Sequence, residues 1–514
     1  MKVLQAARII VVIVILVAIL LPIAIVNGTI EKQPTSDVFG IGMIVNSKLT
    51  SAEDFRKSAS RWIFYNAVQV SPSESVLLGK DGWMFYTLDH DLDIPRGTYP
   101  LSQEQLDYQV AAFSNTKKYY ELMGADFYLL PYPSKPSIYP EYISGEDLAV
   151  GRTACDIVSD NLRSRTDVNV ISPKQQIIAD KALGLVYMKK DVHTSDLGAY
   201  ATYKTICKEI SAHSNINISP IPVNFVDGEY PVSFNDIAKV PGLFGNSETG
   251  PTAQYEAHAH RVTEGAFYNS VISVVKKNDV EETRMVPWSV IFENPEAKNG
   301  TLLVYGTSMF TYDNLGEEWQ LLRYLAENFK KIVYVGISTQ VMPELDSIVS
   351  PDFVIVDVPE RYLSEAGYRD VPRVPIVADT VEVESIPVTE QINDIGNGGF
   401  CLEYIGTQEL PSTSKYIEIG DQNSIILSGW AEDTNTKSPL SALYLQLGDK
   451  TFKCNYGHKK EALSTASALN TETDYTEFTI EIPRIFFDGL DKISFICVGT
   501  DGSYRYKSLI YTLK

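Results

Sequence analysis

Leu302-Leu303-Val304-Tyr305-Gly306-Thr307-Ser308 is the stretch that decides the fold. Four apolar residues in a row, with no polar alternation, describe a strand covered on both faces. Glycine and two hydroxyl residues end it, and a helical pattern follows, with Trp319, Leu322, Leu325 and Phe329 on one face. Runs of the same kind recur at 127–130, 168–171, 332–335 and 353–356, and the periodicity predicts helices over 101–122, 153–163 and 195–210. Short buried runs alternating with helices are the pattern of a doubly wound, parallel α/β sheet, here spanning 76–370. Residues 215–300 break that rhythm and read as an insertion placed to cap a site.

Outside this domain the texture changes. Residues 371–397 carry three prolines and no helical pattern, and read as a linker. From 398 to 514, short alternating runs at 424–430, 443–447, 478–482, 493–498 and 508–513 are separated by turn residues, which predicts an all-β sandwich. Trp430 is expected in its core. At the other end, residues 9–26 form an uncharged apolar run with Lys2 and Arg8 before it and no further Lys or Arg until Lys32. Eighteen residues at 1.5 Å each nearly cross a bilayer core of about 30 Å. The basic flank predicts a cytoplasmic N-terminus and an extracytoplasmic remainder. A cleaved signal peptide would have a shorter apolar region, and Ile25-Val26-Asn27-Gly28 is a poor cleavage site. Residues 1–30 are therefore read as an anchor, and 31–75 as a lead-in with a helix around 52–65.

Composition narrows the function. With 44 Lys+Arg against 65 Asp+Glu the net charge is −21, which argues against nucleic-acid binding through phosphate neutralisation. A hydrophobic fraction of 44% excludes a disordered chain. The five cysteines are dispersed without a CxxC, so no disulfide framework is implied. His258 and His260 form a His-Ala-His, but no third and fourth ligand accompany them, so no metal site is assigned.

Two motifs carry chemistry. Ser308 stands at the carboxyl end of a buried strand, where open α/β sheets place ligands and catalytic groups. Asp191 and His193 stand two apart just before a helix. If that stretch is extended, both side chains leave on one side, and the carboxylate can hold one imidazole nitrogen while the other faces a hydroxyl. Taken singly, a loop serine and a surface Asp-x-His are unremarkable.

Together with three other landmarks they resemble a known group. Gly79-Lys80-Asp81-Gly82-Trp83-Met84-Phe85-Tyr86, Pro133-Ser134-Lys135 running into Ile138-Tyr139-Pro140-Glu141, Asp191-x-His193 with Gly198-Ala199-Tyr200, Gly306-Thr307-Ser308, and Pro359-Glu360-Arg361-Tyr362-Leu363 occur in that order. Over about 68–370 the chain resembles the alginate O-acetyltransferase group, AlgX and AlgJ type, of the SGNH hydrolase-like superfamily. The resemblance implies Ser308 as nucleophile, His193 as general base and Asp191 as the residue orienting the imidazole. The group often has Trp directly after the His, where this chain has Thr194. The wider superfamily has Asp before the Ser, where this chain has Thr307. Oxyanion donors are left open among the Ser308 N–H, the Gly336 N–H, Tyr312 and Asn314. Lys135 and Arg361 are candidates to meet an anionic sugar.

The function so implied is acetyl transfer to a secreted polysaccharide by a membrane-anchored, extracytoplasmic enzyme. No cofactor is expected. The resemblance implies a membrane-bound O-acyltransferase as acetyl donor, a polysaccharide synthase or export complex as partner, and a sandwich that presents the polymer. Alginate, cellulose and other exopolysaccharides are equally open. The same triad with water as acceptor gives a deacetylase or esterase, and a non-catalytic glycan-binding scaffold is the third reading.

Overall fold

The structure, a computed structural model, describes residues 71–513 apart from short stretches, the longest falling within 231–247, 278–287 and 459–475. The expected anchor at 9–26 and the helix at 52–65 lie outside the described residues. Among the described residues no helix is long and apolar enough to cross a membrane.

In chain order, a hairpin of β1 (Val76–Leu78) and β2 (Met84–Tyr86) precedes α1 (Gln103–Leu122), β3 (Asp126–Tyr132), α2 (Ala154–Arg165), β4 (Asn169–Val170), α3 (Lys174–Asp180) and α4 (Asp196–His213). Then come β5 (Asn224–Tyr230), β6 (Glu248–Gln254), β7 (His260–Val262), α5 (Ala266–Lys277) and β8 (Trp288–Glu293). The last part is β9 (Asn299–Gly306), α6 (Gln320–Ala326), β10 (Phe329–Gly336), α7 (Pro343–Val349), β11 (Phe353–Pro359) and α8 (Glu360–Glu365). The helix starts are written locally. Ser102 caps α1 with a reciprocal pair to Gln105, and Ser195 accepts from Gly198 N at the head of α4.

Seven strands form one sheet in the order β4-β3-β11-β9-β10-β8-β7. The first five are parallel, as expected, while β8 pairs antiparallel with β10 and β7 antiparallel with β8, so the sheet is mixed. The cause lies in the 215–300 segment. Only residues 294–298 separate β8 from β9, too few for the crossover that a parallel neighbour needs. The insertion therefore completes the sheet edge with β7 and β8, while β5 and β6 form a separate hairpin.

Side-chain alternation in the central strands divides the core. Leu303 and Tyr305 of β9 and Val333 and Val335 of β10 face one apolar layer, with α1, α2, α5 and α7. Leu302 and Val304, with Ile332 and Tyr334, face the other, with α4 and α6. Helices thus cover both faces of the sheet.

Beyond it are two further sheets. One runs Glu390–Ile392, Tyr504–Leu513, Lys492–Val498, Ala442–Leu447, Lys450–Lys453. The other runs Gln408–Glu409, Phe400–Ile405, Ser424–Asp433, Glu477–Pro483, Asn455–His458. Phe400, Phe478 and Phe495 meet in their common core. Trp430 is not there. In Ser424–Asp433 the buried positions are 425, 427, 429, 431 and 433, so the two-residue period turns Trp430 to the outer face, half-buried. Gly429 takes the inward place because a Cβ there would lie 2.0 Å from the Cys401 carbonyl oxygen.

The segment read as a linker is partly structured. Lys453 N donates to Asp379 O and Val381 N to Thr451 O, which lays 379–381 along the edge strand Lys450–Lys453. Val377 N donates to Asn115 Oδ1, and Asp379 pairs with Lys118, both on α1. Prolines removed helix propensity here without removing strand pairing. The apolar layer of α1 and α7 is continuous with the core of the β-rich part.

Candidate active site

The carboxyl ends of β9, β10 and β11 meet the loop that joins α3 to α4. Residues Thr307–Phe310 form a turn directly after β9, and Ser308 is half-exposed on it. His193 Nε2 lies 2.8 Å from Ser308 Oγ, and His193 Nδ1 lies 2.6 Å from Asp191 Oδ1. Asp191 is fully buried and His193 is 8% exposed. Ser308, His193 and Asp191, expected together, form one hydrogen-bonded chain from solvent inward.

The way the Asp–His pair forms differs from expectation. Residues 189–193 are not extended; they make a tight loop closed by Met188 N to His193 O and by the Tyr187–Thr194 bridge. Asp191 Oδ1 also accepts from His193 N at 2.9 Å, so the carboxylate folds back over its own chain as an Asx-turn. One oxygen therefore fixes both the backbone and the ring of His193. The head of α4 then packs against this loop. A Cβ on Gly198 would lie 2.0 Å from Val186 O and 2.9 Å from Thr194 Cβ, which accounts for the glycine in Gly198-Ala199-Tyr200.

Beneath the serine turn, Asp357 of β11 was not foreseen. Its Oδ2 accepts from Thr307 N at 3.0 Å and from Thr307 Oγ1 at 2.5 Å. Tyr334 OH donates to Thr307 O at 2.7 Å. The Tyr334 ring reaches this place because residue 306 is Gly; a Cβ would meet it at 2.9 Å. Burial pushes the Asp357 carboxyl up to about 7 against the hydrogen bonds from Thr307. A single charge inside Phe353-Val354-Ile355-Val356-Asp357-Val358 was the signal available in the sequence.

The other named residues fall as follows. Gly336 ends β10 in register with Gly306, beside the serine turn. Tyr312 and Asn314 lie outside the described residues. Lys135 does not face a sugar. It is 3% exposed and donates to the carbonyls of Met188, Lys189 and Asp191. Its place just past a strand end made it a candidate to meet a sugar, but its side chain is buried in the core. Arg361 is half-buried, stacks over Tyr362 and lies near Asp91, whose carboxyl is raised to about 6 by burial, with Arg361 opposing. Glu360, the other carboxylate there, is buried and accepts from Ser134 N, Ser137 Oγ and Cys155 N. His258 lies against Glu327, and among the described residues no group of His, Cys, Asp and Glu is arranged to hold a metal.

A largely parallel sheet with a Ser–His–Asp chain at its strand ends is the arrangement that the resemblance implied. Residues 76–229 match the family described as SGNH hydrolase-like domain, acetyltransferase AlgX. The probable alginate O-acetylase AlgJ of Pseudomonas putida is 26% identical over 147 residues, 28% of this chain and 36% of the relative. The chain thus spans about a third of the length of that relative. The solved O-acetyltransferase domain of Pseudomonas putida AlgJ has a TM-score of 0.36 at 15% identity, covering 56% of this chain and 92% of that one. Bacillus cereus PatB1 with a sulfonyl adduct has a TM-score of 0.39 at 13% identity, covering 57% and 99%. The resemblance drawn from the motifs holds: over this stretch the chain is similar to AlgX/AlgJ-type alginate O-acetyltransferases. The matched stretch contains Asp191 and His193 and ends before Ser308.

Proposed function

We propose that this protein is an extracytoplasmic O-acetyltransferase that moves acetyl groups to hydroxyls of a secreted polysaccharide. The observation that carries the reading is the Ser308–His193–Asp191 chain set in an AlgX-type domain. Ser308 Oγ attacks the acetyl carbonyl carbon while its proton passes to His193 Nε2. Asp191 holds Nδ1 and stabilises the imidazolium. The tetrahedral oxyanion would be met by the Ser308 N–H together with the Gly336 N–H, Tyr312 or Asn314; each such donor is worth about 10²–10³ in rate. The donor's oxygen leaves with the proton from His193, and the acetyl group remains on Ser308. A sugar hydroxyl then gives its proton to His193, bonds to the acyl carbon, and releases Ser308 Oγ, which takes the proton back.

No cofactor enters these steps. The acetyl group would come from a membrane-bound O-acyltransferase, and the polymer from a synthase or export complex. The apolar run at 9–26 would tether the enzyme to the cell membrane as a single-pass segment, N-terminus inside. The sandwich would help hold the polymer. Incubating the protein with 4-nitrophenyl acetate and oligosaccharides of alginate or cellulose tests the reading. Acetylated sugar, absent with Ser308→Ala, is the expected product. Acetate alone would make the enzyme an esterase, and no turnover would leave a glycan-binding scaffold.

A further inference from the structure

The loop that presents Asp191 is gripped by two ions of opposite sign. The buried Lys135 ammonium donates to the carbonyls of Met188 at 3.3 Å, Lys189 at 3.1 Å and Asp191 at 2.7 Å. Its charge also lies over the Trp83 and Phe85 rings, 5.8 and 5.2 Å from their centroids. The Glu248 carboxylate, 9% exposed, accepts from Lys189 N at 2.5 Å and Lys190 N at 3.3 Å. An ammonium has three donors, and three carbonyls converge on it. Five hydrogen bonds to ionised partners thus fall on four residues that have no helix or sheet of their own, and bonds of this kind are the stronger class.

The two grips come from distant parts of the chain. Lys135 follows β3, and Glu248 opens β6 of the insertion. The insertion also ties down the far side of the loop: Ala253 N donates to Asp196 Oδ2, and Asp196 N to Tyr230 OH. The β5–β6 hairpin therefore braces the residues on both sides of His193.

We propose that Lys135 and Glu248 are positioning residues for the relay, setting the place of Asp191 and through it the aim of His193 at Ser308. Neither touches the reacting atoms. This rests on the reading of Ser308 as nucleophile. A loop released from the clamp lets the imidazole drift, and a shift of about 1 Å in a reacting group costs about 10²-fold in rate.

The test reads nucleophile activation directly. Phenylmethanesulfonyl fluoride is added to the full-length protein, and the labelling rate of Ser308 is followed by intact-mass spectrometry. The Ser308 Oγ–S bond forms, fluoride leaves and the proton passes to His193. Lys135→Met is expected to slow labelling at least tenfold while the circular dichroism stays native, and to lower kcat for 4-nitrophenyl acetate with KM unchanged. Glu248→Gln keeps the shape, is expected to slow labelling less, and decides the matter if Lys135→Met does not fold. Lys118→Met removes an exposed cation of α1 that pairs with Asp379, and is expected to label like wild type. A folded Lys135→Met and Glu248→Gln that both label at the wild-type rate would overturn the proposal. Wild type that does not label at Ser308 would instead sink the nucleophile assignment. In that case the low-field Nδ1–H proton resonance of His193 decides the clamp: its loss in Lys135→Met upholds the clamp, and its persistence there refutes it.

Discussion

Asp357→Asn separates the electrostatics of the serine turn from its shape. Asparagine keeps an oxygen to accept from Thr307 N and Oγ1 and stays neutral at every pH. In the wild type, burial raises the Asp357 carboxyl from 3.8 to about 7. Between those values the folded state holds a proton that the unfolded chain has released. Stability from this group is therefore fully present below about 3.8 and is lost as pH rises through about 7. From pH 5 to pH 8 the loss from this one group is on the order of 2–3 kcal/mol. Asp346 and Asp91, raised by burial to about 7 and about 6, titrate in both proteins and cancel in the comparison. Scanning calorimetry in steps from pH 5 to pH 8 is expected to give a variant already ahead in Tm at pH 5, since wild type begins to lose this stability above about 3.8, and progressively further ahead toward pH 8. A constant offset across the range, or a gap that closes toward pH 8, would refute the reasoning.

Three further outcomes are expected. Ser308→Ala and His193→Ala should each lower hydrolysis of a small acetyl ester by about 10⁴–10⁶ with native circular dichroism, and a variant within tenfold of wild type would refute the relay. Gly198→Ala should lower stability by about 1–3 kcal/mol, read by urea unfolding, because its Cβ would press on Val186 O and Thr194; an unchanged midpoint would show that the head of α4 moves freely. Arg323→Met leaves Asp196 buried without the guanidinium that lies 2.6 Å away, and should cost about 3–5 kcal/mol, largely restored by adding Asp196→Asn; equal losses in the single and double variants would contradict a buried-charge origin.

What the sequence discloses here is local, and what it conceals is long-range. Ser102 with Gln105 at the head of α1 and the unbroken apolar run of β9 carry their own signals, and both elements form where the periodicity places them. Spacing and strand-end position made Asp191, His193 and Ser308 candidates, and the resemblance joined them into one site. The antiparallel β7–β8 edge was not, because the choice of neighbour for β8 depends on a short connection to a strand two places away. Trp430 misled because an aromatic residue in an alternating strand has two faces to choose from, and a register one residue different would have buried it. Lys135 misled for a third reason. A lysine in a loop is ordinarily solvated, and here three converging carbonyls and the faces of Trp83 and Phe85 help make burial tolerable.

The landmark motifs gain a physical meaning from this arrangement. Trp83 stacks on Tyr142 and packs against Tyr139, and the Lys135 charge lies over it. Met84 N donates to Lys189 O, and a Cβ on Gly79 would lie 2.5 Å from Tyr142 O. The hairpin at 79–86, the loop at 133–141 and the loop at 187–200 are thus three walls of one frame, and the frame holds Asp191 and His193. The family match, which ends at residue 229, covers all three walls. Ser308 reaches the frame by another route, through sheet register: β9 runs parallel between β10 and β11, so that Thr307 comes to rest on Asp357 and under Tyr334. Two independently built halves meet across 2.8 Å between His193 Nε2 and Ser308 Oγ. A change in either half should leave the other half's own contacts in place, so Asp357→Asn should not disturb the Asp191–His193 bond, and Lys135→Met should not alter the pH dependence contributed by Asp357.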